Sequence, residues 1–239
     1  ADMCEIYTDV DGVYTCDPRV VPDARKIDII AYDELLEMAS SRSKVMQSRS
    51  VEFAKKFKVP FEVRSSFNNN RGTIVKEESI GLENVVVRGI SLERKQAKVT
   101  ISNVPDKPGS ASRIFTALAE SNVIIDVIVQ NVSVSGATDI SFTMSADELE
   151  KVGSIIDRIA GEVGAGEVIK KSGIAKLSVV GIGMRSHSGV AATLFECLGN
   201  GGVNIQMIST SEIKIAVILD ESQIDQAAKL AHTAFGLSA

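Results

Sequence analysis

The sequence predicts an α+β chain: two tandem βαββαβ units, the first inserted into the second, behind an N-terminal segment of mixed strands and helices. Three observations predict it. The stretch from Lys98 to Asn131, KVTISNVPDKPGSASRIFTALAESNVIIDVIVQN, returns at Lys176 to Ser211 as KLSVVGIGMRSHSGVAATLFECLGNGGVNIQMISTS, with Phe115, Leu118, Val123 and Ile125 matched by Phe195, Leu198, Val203 and Ile205. A period this long denotes two similar small domains rather than a solenoid. Each copy alternates β-branched runs with a glycine-containing turn and an amphipathic run at helical spacing. The second copy is one strand short, whereas a strand-like run, Val85 to Ile90, stands unclaimed before the first.

Taken in order, Met3 to Thr8 reads as a strand. The chain opens ADMCEIYTDVDGVYTCDPR, without methionine and already at strand pitch, and so reads as a fragment of a longer protein. Asp9, Asp11 and Asp17 follow, interleaved with Gly12, Tyr14 and Arg19. Carboxylates in a glycine-containing loop after a strand suit magnesium and phosphate chemistry, and a nearby arginine can neutralise phosphate oxygens; a solvated acidic loop is the competing reading. No Glu stands where an EF-hand loop needs one. Tyr32 to Ala39 reads as a helix burying Leu35, Leu36 and Met38. Val51 to Phe57 reads as another, closed by a basic turn that complements the negative helix end. Val59 to Val63 is a short strand, and the polar NNNRGTIVKEESI of residues 68–80 reads as a linker.

In the first repeat, Val99 to Val104 is a strand broken by Pro105, Pro108 and Gly109. Ser110 or Ser112 is then available to cap a helix that places Ile114, Ala117, Leu118 and Ser121 on one face and ends at Asn122. Ile124 to Val132 and Thr138 to Met144 read as strands separated by Ser133, Ser135 and Gly136. A helix from Ala146 to Val163 buries Leu149, Val152, Ile155, Ile156 and Ile159, and Glu167 to Lys171 supplies the fourth strand after Gly164 and Gly166. In the second repeat Ile213 to Leu219 is the third strand and Ser222 to Phe235 the second helix, so Val85 to Ile90 is assigned to complete that sheet. The expected segments are 1–67, a linker at 68–82, an inserted domain at 95–171, and a discontinuous domain of 83–92 plus 174–239. The resulting order is the ferredoxin-like one, with both helices on one face.

The totals narrow the function. The 239 residues allow two or three domains, 44% hydrophobic content supplies their cores, and the absence of tryptophan leaves aliphatic side chains to fill most of the volume. A net charge of −5 gives no general attraction for nucleic acid, and strands without stacking aromatics argue against an RNA-binding module. No apolar run approaches the roughly 20 residues of a membrane span. Cys4, Cys16 and Cys197 lack metal-ligand spacing and are odd in number, so they read as thiols in a reducing cytoplasm. His187 and His232 have no ligand partners at metal spacing and read as surface residues; no metal site is expected.

The strand-to-helix turn around Asp106 to Ala111 offers backbone N–H groups at a positive helix end, suited to an amino-acid carboxylate. Asp106, Asp126, Gln130 and Asn131 can hydrogen-bond an ammonium or a ligand side chain. Local turn capping by Asp106 and Asn131, and a plain surface position for Gln130, remain alternatives.

TDVDGVYTCDPR resembles the nucleotide-binding loop of aspartate kinases in the amino-acid kinase superfamily, and DARKIDIIAYDELLEMASSRSKVMQSRSVEFAKKFKVPFEVRSSF resembles the closing part of that domain. Through DKPGSASRIF, NVIIDVIVQNVS and TDISFTM, and then GMRSHSGVAATLF and NGGVNIQMISTSEIKIAVIL, the repeats resemble ACT domains, amino-acid-sensing modules. The resemblance covers essentially the whole chain. It implies a C-terminal remnant of the α/β amino-acid kinase fold followed by tandem ACT domains. It further implies that Thr8, Asp9, Tyr14 and Arg19 contact ATP and that Lys44 reaches its phosphates, ATP and magnesium being cofactors of the complete enzyme. That enzyme phosphorylates L-aspartate to 4-phospho-L-aspartate, the first step of lysine, threonine and methionine biosynthesis.

The family's lysine- and glycine-rich N-terminal motif and its aspartate-binding positions are not in this sequence, so the chain alone is expected to be inactive and to require no cofactor. By the same resemblance threonine, lysine or both are effectors, held between a first repeat and a second repeat of another chain in an ACT-mediated homodimer. The implied contacts are Asp106, Lys107, Pro108, Gly109, Ser110, Ala111, Ile125, Asp126, Gln130 and Asn131, with Met184, Arg185, Ser188, Gly189, Val190, Asn204, Ile205 and Gln206. Five positions depart from the family pattern: Ser41 and Arg42 before Lys44, Arg71 before the GT of NNNRGT, and Ser188 and Ala191 in the second repeat. The remaining kinase domain would be a further partner. A stand-alone amino-acid-binding ACT protein without kinase activity is the alternative.

Overall fold

The computed structural model describes residues 3–39, 46–77, 86–131 and 136–238, except for the side chains of 185 and 186. The chain divides into two compact units. One comprises 1–93, 176–219 and 223–239; the other comprises 94–175 and 220–222.

The N-terminal segment of the first unit builds a sheet in which β1 (Cys4–Thr8) pairs in parallel with β3 (Phe61–Ser65), β3 pairs antiparallel with β4 (Thr73–Lys76), and β4 pairs in parallel with β2 (Ile29–Ala31). Helix α1 (Tyr32–Ala39) begins directly after β2 with Asp33 and Glu34 in its positive first turn. Helix α2 (Ser48–Phe57) ends on Lys58 in the left-handed conformation, whose N–H closes the helix on Ala54 and Lys55 carbonyls. Leu35, Met38 and Val51 of these helices join Ile30, Phe61, Val63 and Val75 in one core, and the Tyr32 and Phe61 rings sit 6.2 Å apart. The polar stretch read as a linker at 68–82 is therefore not one throughout. Thr73 and Val75 are fully buried while Ile74 and Lys76 are half-exposed, a period-two pattern hidden among flanking asparagines and charges.

The second unit holds the first repeat. Strand β5 (Gly89–Pro105) runs antiparallel to β7 (Ala137–Ser145), β6 (Ile128–Gln130) flanks β7, and β8 (Val168–Val180) flanks β5. Helices α3 (Ser110–Glu120) and α4 (Ala146–Val163) cover one face. Val99, Ile101, Ile140 and Phe142 meet Ile114, Leu118, Val152 and Ile156 beneath them, with Phe115 edge-on to Phe142 at 5.5 Å. A capping box starts α4: the Ser145 hydroxyl accepts from the Glu148 N–H, and the Glu148 carboxylate accepts from the Ser145 N–H.

Three readings are corrected here. Val85 to Ile90 and Val99 to Val104 are not separate strands: β5 is continuous from Gly89 to Pro105 through the polar ERKQ run, in which Lys95 has φ +55°, and Val85 lies outside the described residues. Among the described residues of the expected Ile124 to Val132 strand, only Ile128–Gln130 is strand; just before it the Val127 N–H goes to the Thr143 hydroxyl, and Val132 lies outside the described residues. Neither Ser110 nor Ser112 caps α3. The N-cap is Gly109 at φ +96°, and the Ser110 hydroxyl instead donates to the Pro105 carbonyl at 2.8 Å.

The second repeat lies in the first unit. After β8 come a short 3-10 turn (Ile182–Ser186), α5 (Val190–Asn200), β9 (Met207–Thr210), β10 (Lys214–Asp220) and α6 (Ile224–Ala234), with the strands ordered β5-β8-β10-β9. Leu177, Val179, Leu194, Leu198, Val217 and Leu219 are fully buried. His232, expected at the surface, is only 1% exposed: it falls one turn after buried Ala228 on the inner face of α6, and its Nε2 lies 2.9 Å from the Thr15 hydroxyl. Burial pulls its pKa below the ordinary histidine value.

Candidate functional site

Thr8 to Gly12 leave the carboxyl end of β1, which lies beside parallel β3, the kind of place where open α/β sheets bind ligands. The Thr8 hydroxyl accepts the Val10 N–H and donates to the Val10 carbonyl, fixing the turn and leaving Asp9 exposed. Gly12 has φ +145°, and a Cβ there would stand 2.5 Å from the Thr73 hydroxyl. That hydroxyl also accepts the Val13 N–H and donates to the Ile27 carbonyl, so Thr73 clamps the far side of the loop. Tyr14 is half-buried, its phenol pushed upward by burial and then by the Asp11 carboxylate. Arg19 is folded onto Asp17 at 2.7 Å with its side chain 90% exposed. Pairs this exposed contribute little, so a phosphate can compete for the guanidinium. Lys44, with Ser41 and Arg42, lies outside the described residues.

In type these side chains suit a nucleotide: an exposed carboxylate and a hydroxyl held by the Val10 backbone at a strand's carboxyl end, an exposed guanidinium and a half-buried ring. Thr73, Asn68 and Glu62 escaped the sequence reading although they hold the loop. The Asn68 amide donates to Asp11 at 2.8 Å, and Glu62 accepts the Gly72 N–H at 2.6 Å. Their signal was the NNNRGT stretch itself, whose polar residues are bonded rather than idle.

The two strand-to-helix turns are near copies. Gly109 has φ 96°, ψ −13° and Gly189 has φ 97°, ψ −13°; neither helix receives a side-chain cap. The Arg113 N–H reaches the Gly109 carbonyl at 3.0 Å and the Thr193 N–H the Gly189 carbonyl at 2.9 Å. Among the described residues no acceptor meets the N–H groups of Ala111 and Ser112, or of Ala191 and Ala192. A Cβ on either glycine would meet nothing within 4 Å, so both turns face open space. Each is a helix start with free donors and a positive end.

Around the first turn the structure gathers part of the expected set. The Asp106 N–H donates to the Gly136 carbonyl at 3.0 Å, and the Asn131 carbonyl accepts the Thr138 hydroxyl at 2.5 Å, which places Asp106 to Ala111 with Gln130 and Asn131 at one end of the sheet. Ile125 and Asp126 sit elsewhere: the Asp126 N–H donates to the carbonyl of Thr143, five residues beyond Thr138 on β7 and so about 17 Å farther along the strand at roughly 3.3 Å per residue. The second repeat divides likewise. Gly181 bonds to Ile213 at the end that carries Met184 to Val190, whereas Gln206 bonds to Ile218 at the other, taking Asn204 and Ile205 with it. Nothing is described of the Arg185 side chain; Ser188 and Gly189 are exposed and Val190 is buried. By repeat position, Thr210 and Ser211 occupy the place of Gln130 and Asn131, and the repeat in the sequence is the signal for them.

Comparison with known proteins adds the family. Residues 1–65 match the amino acid kinase family, and residues 99–161 and 177–235 each match an ACT domain. An aspartate kinase of Pseudomonas putida KT2440 is 51% identical over the whole chain, which spans 58% of that relative's length. The regulatory subunit of aspartate kinase from Thermus thermophilus is 34% identical over 63% of this chain and 99% of its own, with a TM-score of 0.59. Aspartokinase III of E. coli, 26% identical over 98% of this chain and 52% of its own, has been solved with aspartate and ADP in an R state and with lysine and aspartate in a T state, at TM-scores of 0.81 and 0.77. With an amino-acid-kinase segment followed by two ACT domains, the chain belongs to the aspartate kinase family.

Proposed function

We propose that this chain is the feedback-sensing portion of an aspartate kinase, binding threonine, lysine or both on its ACT domains to control ATP-dependent phosphorylation of L-aspartate. The observation that carries this reading is the pair of open, uncapped helix starts after Gly109 and Gly189, each offering free N–H groups to a carboxylate. The lysine complex of E. coli aspartokinase III supports an amino-acid effector in the family. Within one copy, Asp126 and Asn204 to Gln206 stand at sheet ends opposite their own turns. In a homodimer, a turn of one copy would join one of these segments of the other. Ligand that binds one dimer arrangement better than another shifts the population toward it.

ATP would be held by Thr8, Asp9, Tyr14 and Arg19, with Lys44 at its phosphates. ATP with magnesium supplies the phosphoryl group and its charge neutralisation. The chain's own residues fix the loop through Thr8 and Thr73 and present a carboxylate and a guanidinium at the strand end. The aspartate-binding half of the reaction belongs to the rest of the kinase domain, which makes the stand-alone ACT alternative weaker: residues 1–65 would have no role in it.

Thermal unfolding tests the reading. A ligand at 100 times its Kd stabilises the folded chain by about 2.7 kcal/mol, so saturating L-threonine or L-lysine raises the Tm while L-alanine does not. The purified chain forms no aspartyl hydroxamate from ATP and aspartate. A Tm indifferent to both effectors, or hydroxamate formation, overturns the respective half of the proposal.

A further inference from the structure

The turn that opens α5 is built into the amino-acid-kinase segment rather than hung from it. Ile182, the first residue of the 3-10 turn, is 2% exposed and clusters with Ala31 and Ile213, with Ile29 packed against them. Its N–H donates to Glu34 Oε1 at 3.1 Å. The other oxygen of the same carboxylate accepts the Ala31 N–H at 3.2 Å and lies 3.2 Å from Arg88 Nε. Glu34 is 0% exposed in the first turn of α1, and the Arg88 side chain is 10% exposed. A carboxylate so deeply buried persists only while its donors replace lost water, so displacing any one of them disturbs the others. The Ile182 donor belongs to the second repeat, two residues after the buried Lys176–Val180 stretch of β8, and the Ala31 donor joins β2 to α1. Gly181, just before it, is closely packed. Its N–H is held by the Ile213 carbonyl at 2.9 Å, and a Cβ there would stand 2.3 Å from the Val86 carbonyl.

We propose that Glu34 is a positioning residue that couples the second ACT turn to α1. An amino acid seated on Met184 to Val190 changes how the Ile182 N–H meets Glu34, and the start of α1, which leads in sequence toward Lys44, responds. The coupling rests on the effector reading given above. It is a shift between two arrangements of one buried cluster, and both sites bias it.

The test is hydrogen exchange of the whole 239-residue chain, read over residues 29–39 with and without saturating L-threonine or L-lysine, beside calorimetry of the same samples. In the wild type, effector changes α1 exchange by at least about fivefold, the lower end of ordinary allosteric coupling. Glu34→Gln keeps an acceptor for Ile182 but removes the charge that holds Arg88. Should it fail to fold, Glu34→Met with Arg88→Met replaces the pair by apolar groups of similar length, a change that buried pairs tolerate. Either variant binds effector within about twofold of wild type yet no longer transmits it to α1. A merely structural role would lower stability and leave the effector-dependent change in place. That result, or a wild type that binds effector with α1 exchange unchanged, overturns the coupling. A wild type that binds neither amino acid removes the effector reading instead and the coupling with it, and calorimetry tells the two failures apart.

Discussion

At the residue scale the most demanding position is Gly12. Its φ of +145° and the 2.5 Å approach to the Thr73 hydroxyl leave no place for a side chain. Gly12→Ala is expected to cost roughly 1–3 kcal/mol in urea denaturation, and a midpoint equal to wild type would show that the loop repacks freely. His232 carries a pH dependence whose sign follows from burial. The folded state keeps the ring neutral below the 6.5 of the free side chain, so the unfolded chain binds the extra proton. The stabilisation is whole above pH 6.5 and declines as pH falls below it. His232→Gln should therefore flatten the loss of stability between about pH 7 and 5, measured as the difference between variant and wild-type denaturation curves. Cys16, its thiol pushed up to about 12 by burial, should react with neutral thiol reagents only after unfolding, unlike exposed Cys4. The sequence could not place His232 indoors. Its burial depends on α6 meeting Thr15 from a segment more than two hundred residues away, and no local pattern encodes that contact.

At the element scale, local chemistry was legible wherever periodicity was strong. Helix α4 starts and stops where the sequence puts it, because Ser145, Glu148 and Gly164 mark both ends. Ser145→Ala is predicted to destabilise by about 1 kcal/mol, with Ser145→Asp close to neutral in the same titration. The misread elements share a cause: a hydrogen bond from outside the element decided each. The Thr143 hydroxyl takes the Val127 N–H just ahead of β6, the Pro105 carbonyl takes the Ser110 hydroxyl from its cap, and β3 and β2 recruit Thr73–Lys76 from a stretch too polar to look buried. The turns at Gly109 and Gly189 were legible as helix starts. That they are geometric twins, uncapped and open, was not, since backbone angles are set by the packing that follows them.

At the scale of the whole molecule, the repeat fixes the account. Asn122 at φ +56° and Gly202 at φ +70° close equivalent helices, and Val123 and Val203 bond back to Leu118 and Leu198, so the twin domains agree in detail that their sequences share only in part. The two equivalent turns, with candidate ligand groups at the opposite ends of their own repeats, are proposed as half-sites. A second copy is predicted to complete them, so sedimentation should show a dimer that effector tightens; a strictly monomeric chain at every concentration with effector bound would remove the shared site.

The central claim, that these half-sites hold an amino acid, is tested most directly by titration calorimetry of the chain with L-threonine and L-lysine. Saturable binding of at least one is predicted, weakened at least about tenfold by Asp106→Ala, as loss of one hydrogen bond to a charged group implies. No heat from either amino acid at millimolar concentration would contradict it.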